Sequence, residues 1–194
     1  MTTSRRRYHH GALRDTVLRA AGNILEKQGL ESLTVRSLAR RVGVSHNAPS
    51  RHFADRETLL AALAAQGFAM LDKSQREAVA GGGLRAMAEA YVCFALDHPR
   101  RFQLMFGNVV RVRRHAILDE LAAKSCENLA GALAARLPGA QDARDASMAA
   151  WALVHGLAQL MLDGRLDLGG RTRETFVREL LATVRFAAGA AQPA

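Results

Sequence analysis

The sequence predicts an all-α fold of about nine helices, with a three-helix helix-turn-helix unit at the N-terminus and a helical bundle after it. Three observations carry this. Long Ala/Leu/Arg-rich segments place apolar residues at helical spacing. No run of alternating β-branched residues occurs. Helix-ending residues punctuate the chain at Gly29, Gly43, Gly81-Gly82-Gly83, Pro99, Gly107, Pro138-Gly139 and Gly169-Gly170.

The first helix is expected over residues 11–28, where Leu13, Val17, Ala20, Ile24 and Gln28 share a stripe widened by Ala21 and Leu25. Gly29 stops it. Thr34 caps a short second helix ending at Val42, with Val35, Leu38, Ala39 and Val42 as its buried face. Gly43-Val44-Ser45 then turns the chain into a third helix, residues 46–52. Pro49 removes one helical N–H there, so either Ser45 caps a helix strained at its fourth position or Asn47 caps a later start. Asp55 caps a long fourth helix that reaches toward Ala80, with Glu57 in its first turn and Leu59, Leu60, Leu63, Phe68 and Leu71 facing inward. Five more helices are expected over residues 84–98, 99–106, 112–137, 143–165 and 172–189. The organisation is then a basic arm (1–8), a helix-turn-helix unit (9–55) and a second unit (56–194), joined inside a helix rather than by a flexible linker.

Composition narrows the classes. With 194 residues, 49% of them hydrophobic, the chain has enough apolar surface for a core and is not disordered. Cys93 and Cys126 are too few for a disulfide framework or a four-thiolate zinc site, and are expected to be reduced, buried and small. The arginines near the N-terminus have no apolar run behind them, unlike a signal peptide. The longest apolar stretch, Ala146 to Leu162, is shorter than the roughly 20 residues a bilayer needs. A cytoplasmic, membrane-free protein is expected. The net charge is +9, of which +6 falls in residues 1–60. A basic first segment on a near-balanced remainder suits a polyanion-binding module joined to a body with another task.

The turn Gly43-Val44-Ser45 adds geometry to that charge. It would hold the next helix proud of the body, with His46, Asn47, Ser50 and Arg51 on its surface. These mix donors and acceptors as major-groove readout requires. Thr34, Val35, Arg36 and Ser45 flank them, with Arg40 and Arg41 nearby to meet phosphates. His52 is expected to pack or to face phosphate rather than read a base. Arg56, at the start of the helix capped by Asp55, marks a second phosphate site. Arg5-Arg6-Arg7 would be a flexible arm.

The stretch Leu33-Thr34-Val35-Arg36-Ser37-Leu38-Ala39, Val42-Gly43-Val44-Ser45, Arg51-His52-Phe53 and Glu57-Thr58-Leu59-Leu60 resembles the DNA-binding domain of the TetR family over about residues 9–70. The resemblance implies an all-helical, dimeric bacterial regulator, usually a repressor. Two positions depart from the family pattern: Ser50 stands where a tyrosine is usual, and Pro49 where an aliphatic residue is common. Farther on, Trp151, His155 and Gly156, with Asp97-His98-Pro99-Arg100-Arg101-Phe102, resemble the regulatory domain of a subgroup named for its Trp-His-Gly helix.

The 143–165 helix is apolar on two sides. Met148, Trp151, His155, Ala158 and Leu162 form one stripe, and Ala150, Leu153, Leu157 and Leu160 another. Two buried surfaces are therefore needed, one of them on a partner subunit. Leu153, Leu157 and Leu160, with Val177, Leu180, Leu181 and Val184 of the last helix, are the expected dimer interface. An effector site, if the core leaves room, would be lined by Phe68, Met87, Tyr91, Phe94, Phe102, Met105 and Phe106. Leu118, Leu121, Trp151 and His155 would complete it, with His155 and Tyr91 as its polar groups, for an apolar or aromatic small molecule. The same residues equally suit a filled core.

Catalytic classes find no support. G-x-S-x-G, H-E-x-x-H, P-loop and G-x-G-x-x-G patterns are all missing. His9-His10 is no metal pair, because adjacent rings diverge, and no cofactor is expected. The reading is a homodimeric, sequence-specific regulator of transcription on double-stranded DNA. Its rival is a helical protein that binds polyanions nonspecifically through its basic N-terminal face.

Overall fold

The structure is a computed structural model that describes residues 10–45, 47–107, 118, 120, 121, 123, 124, 127, 128, 131, 132 and 140–184. Six α-helices and two short 3-10 turns are defined among these residues, the described residues from 118 to 132 are helical as well, and no strand occurs among them. The helices are α1 (His10–Gln28), α2 (Val35–Val42), α3 (Arg56–Asp97), α4 (Pro99–Phe106), α5 (Ala140–Leu162) and α6 (Arg173–Thr183). The 3-10 turns are Leu30–Ser32 and Pro49–Arg51.

The expected fourth and fifth helices are the two arms of α3, which meet at a kink on Gly83, whose φ of 68° and ψ of −155° no other residue type adopts cheaply. The expected third helix is the 3-10 turn Pro49–Arg51. Most of the expected 112–137 helix lies outside the described residues, as do the basic arm, His46, Cys126 and the chain beyond Val184.

One core runs from α1 to α6. Val17, Ala21, Ile24 and Leu25 of α1 meet Leu38 of α2, Phe53, and Leu59, Leu60 and Leu63 of α3. The same cluster continues through Leu71, Tyr91, Val92 and Phe102 to Val154, Ala158, Val177 and Leu181. A second, smaller cluster joins Leu84 and Met87 to Val79, Ala132, Ala146 and Ala150. By length and composition α3 is also apolar enough to cross a membrane, with mean hydropathy 1.2 over its best window. Of that window 39% is buried inside the fold, and the helix's buried side chains run from Leu59 to Ala95. Cys93 is half-buried and free, with a thiol pKa raised mainly by burial.

Candidate nucleic-acid interface

The helix-turn-helix is built by three local devices. Thr34 Oγ1 accepts the Ser37 N–H at 3.1 Å, and Ser37 Oγ accepts the Thr34 N–H at 3.0 Å. This reciprocal capping box fixes the start of α2. Gly43 sits in the left-handed region, φ 73° and ψ 34°, and its N–H bonds Ala39 O at 3.0 Å. A side chain there would be strained, so the reversal after α2 depends on this glycine. Asp55 Oδ1 accepts the Thr58 N–H at 2.7 Å and starts α3.

Pro49 neither strains a helix at its fourth position nor follows an Asn47 cap. A turn closed by Ala48 N–H to Ser45 O at 2.9 Å precedes it, and Pro49 is the first residue of the 3-10 turn. That is a position where the missing N–H costs nothing. Pro49 is buried in the head with Leu38 and Phe53. The His52 and Phe53 N–H groups both bond its carbonyl, each at 3.0 Å. Above Phe53 lies the Arg14 guanidinium, 5.3 Å from the ring centroid.

Thr34, Val35, Arg36, Ser45, Asn47, Ser50, Arg51 and Arg56 are all exposed, on or beside the turn. Val35 was expected on the buried face of α2, but 38% of it is exposed, because the stripe that packs is Leu38 and Ala39. His52 is half-buried, and Arg56 Nη2 donates to Leu30 O at 3.2 Å, which ties its guanidinium to the α1–α2 connection. A cleft of about 440 Å³ opens between the two caps, lined by Leu33, Leu38, Pro49, Phe53 and Leu59, with Ser50 on its wall. The N-termini of α2 and α3 both border it. Helix N-termini offer unpaired N–H groups and a positive dipole end, the arrangement that receives phosphate oxygens.

Replacing Arg51 by Ala is expected to weaken a specific duplex by about 1–3 kcal/mol and random duplex by less, as for an arginine that reads a base edge. Equal losses on both duplexes, measured by fluorescence anisotropy, would reassign Arg51 to phosphate.

The aromatic residues of the body gather, with exceptions. Phe102 meets Tyr91 edge-on at 5.8 Å between centroids and Phe106 at 4.8 Å. Phe68 meets Phe106 at 5.4 Å. Trp151 Nε1–H donates to Tyr91 Oη at 3.2 Å, and His155 Nδ1 lies 2.9 Å from the same oxygen. Met105 and Leu118 are buried in this core, and Leu121 packs against it. Phe94 instead packs on His98 at 5.1 Å, and Met87 belongs to the second cluster. Phe94 still belongs to the same core cluster as Tyr91 and Phe102.

Burial lowers the His155 pKa from its ordinary 6.5 and favours the neutral imidazole. The unfolded chain therefore takes up this proton first as the solution is acidified. The contribution of neutral His155 is complete above pH 6.5 and falls from there down through the lowered folded value. The urea midpoint of the wild type is expected to drop relative to that of His155→Gln across this window. Parallel midpoints would show that His155 stays solvated.

The expected interface residues divide. Leu157, Val177 and Leu181 are buried in the protomer's own core, so they cannot face a partner. Leu153, Leu160 and Leu180 are 40%, 45% and 38% exposed, and Met148 is 60% exposed. Val184 is half-buried at the end of the described chain. Among the described residues no three His, Cys, Asp or Glu side chains gather as a metal site.

The sequence reading missed Ser37, which completes the capping box, and Arg101. The Arg101 side chain is buried between α1 and α3. Its signal is its place on the same helix face as Leu104 and Met105, three and four residues on.

Comparison with known proteins agrees with this architecture. Residues 84–184 match the tetracycline-repressor-like C-terminal domain, and residues 17–63 match the bacterial regulatory proteins of the TetR family. No curated protein matches the chain. A solved structure of a protein of unknown function from Rhodococcus sp. RHA1 shares 36% identity and a TM-score of 0.75, over 92% of this chain and 96% of that one. The protein SCO4313 shares 26% identity and a TM-score of 0.74, over 93% and 98% of the two chains. PfmR, a TetR family transcriptional regulator from Thermus thermophilus, shares the fold at 19% identity and a TM-score of 0.61, over 86% and 94%. With its capped, basic helix-turn-helix and both family domains matched in order, the chain belongs to the TetR family and is a DNA-binding regulator of transcription.

Proposed function

We propose that this regulator is an effector-responsive repressor that binds a pseudo-palindromic operator as a homodimer. The observation that carries the reading is the pairing of two unlike surfaces on one chain. An exposed basic helix-turn-helix stands on the N-terminal helices, and exposed leucines stand on α5 (Leu153, Leu160) and α6 (Leu180). Residues 9–55 act as the DNA-binding unit and residues 56–194 as the regulatory and dimerisation unit. Each protomer presents Thr34, Val35, Arg36, Ser45, His46, Asn47, Ser50, Arg51, His52 and Arg56 to the duplex. Two heads on a twofold axis enter successive major grooves, with recognition elements about 34–36 Å apart or a multiple of that. Leu153, Leu160 and Leu180 supply the subunit contact.

The effector is read as an apolar or aromatic small molecule that enters at the aromatic core around Tyr91, Phe102, Phe106, Trp151 and His155, which is closed here and has to open to admit it. The support for this site is the polar node formed where Trp151 and His155 meet the Tyr91 hydroxyl among ring faces. Trp151, His155 and Gly156 support a reading of the chain as a member of the Trp-His-Gly subgroup. The protein works in the cytoplasm, and no enzymatic step is assigned to it.

Sedimentation of the protein with a duplex recovered by selection tests the central part. Two 21.0 kDa chains per duplex are expected, and one chain per duplex would overturn the dimeric reading. Transcription from a promoter carrying that duplex should fall on adding the protein. A rise would make it an activator.

A further inference from the structure

The helix α4 touches two regions at once. Toward the head it holds Arg101, a charged side chain only 5% exposed. Arg101 Nε donates to Glu26 Oε1 of α1 at 3.2 Å. Its Nη1 donates to Gln66 Oε1 at 3.0 Å and approaches Leu63 O at 3.4 Å, both on α3. Arg100 Nη1 donates to Glu26 O at 2.7 Å, and His98 Nδ1 stands 3.8 Å from Glu26 Oε1. Toward the body, the next residue, Phe102, and Phe106 enter the ring cluster of Tyr91, Trp151 and His155.

The fit is close on both flanks. A Cβ on Gly22 of α1 would collide with Arg101 Nη2, and a Cβ on Gly67 of α3 would collide with Met105 Sδ. These two glycines admit α4 against α1 and α3. A buried guanidinium without its carboxylate is costly, so α4 cannot slide away from α1 while Arg101 stays dry. A short rigid helix that carries Phe102 and Arg101 on consecutive residues moves both together.

We propose that the Arg101–Glu26 pair is the positioning contact that couples the DNA-binding head to the aromatic core. Engagement of DNA by the head biases the α1–α4 contact, and α4 passes that bias to Phe102 and Phe106. By reciprocity, a ligand that shifts those rings biases the head by the same free energy. The inference rests on the reading of the chain as a DNA-binding regulator with a responsive body.

The test needs no effector. Trp151 is the only tryptophan in the chain, and it lies 6.5 Å from the Phe106 ring. Anisotropy of a labelled duplex obtained by selection reads DNA binding, and Trp151 emission reads the core. In the wild type, saturating duplex is expected to shift the emission maximum. In Arg101→Met the duplex should still bind and the shift should be lost. The double variant Arg101→Met with Glu26→Met removes both charges, so no charge is left buried and unpaired, and it carries the test if the single variant does not fold. A shift retained in a folded variant would overturn the role of the pair. Binding without any shift in the wild type would overturn the coupling itself. No binding of any duplex would instead overturn the regulator reading on which both depend.

Discussion

Replacing Phe102 by Ala is expected to lower the stability of the protein by about 3–5 kcal/mol, the range for removing a buried aromatic ring. Phe102 is 1% exposed and touches three ring systems: Tyr91 at 5.8 Å, Phe106 at 4.8 Å and His155 at 5.2 Å. The loss has two parts, the apolar area returned to water in unfolding and the void left in the fold. The void cannot close easily, because α4 is held on its other side by Arg101 and by the close approach at Gly67. Phe102→Leu keeps most of the volume and should cost under about 1.5 kcal/mol. Urea unfolding of the three proteins checks both values. A cost under about 1 kcal/mol for Phe102→Ala would mean that the ring lines a loose site rather than a packed core.

The Leu160→Glu variant should convert a dimer to a monomer and weaken binding to an inverted-repeat duplex by a factor of about 10²–10⁴, the size of a lost bivalent advantage. Leu160 is 45% exposed in the protomer, so a carboxylate there meets water and the chain still folds. In a dimer the same carboxylate would be pressed into an apolar seam with Leu153 and Leu180, unpaired and desolvated. A duplex carrying a single half-site should be bound equally by variant and wild type. Sedimentation checks the mass, and an unchanged mass would remove Leu160 from the interface. Leu157→Glu is a poor probe for the same question. Leu157 is buried in the protomer, so its substitution damages the fold before it reports on assembly.

Local chemistry made most of the head legible in the sequence. Thr34, Gly43 and Asp55 are cap and turn residues whose roles follow from single-residue physics, and the structure places each in that role. Pro49 left two helix starts open, and the structure takes neither. Pro49 is buried, and it lines one cleft with Leu38 and Phe53, so tertiary packing fixed a 3-10 turn where propensity alone was undecided. The break in α3 was legible as a triple glycine, but only the backbone shows that the bend falls on Gly83.

Periodicity located the apolar faces of α5 and α6 without saying what each meets. Leu157 and Leu160 read alike in sequence, yet the first turns inward and the second outward. Val35 failed for a related reason, since an eight-residue helix has too few turns to define a stripe. Arg101 and Arg100 are adjacent and chemically identical, and only one is buried. Besides the helix face that Arg101 shares with Leu104 and Met105, clues lay in Gly22 and Gly67. Each interrupts an otherwise helical segment, as glycine does where another element approaches closely.

Enrichment of random-sequence duplexes on the purified protein, at a salt concentration that suppresses nonspecific phosphate binding, tests the central claim most directly. A dimeric regulator should recover an inverted repeat with half-sites about one helical turn apart or a multiple of it. That duplex should bind about 10³-fold or more tightly than random sequence. A folded protein that enriches no sequence, and binds all duplexes alike, would contradict the account and leave its basic face a nonspecific polyanion surface.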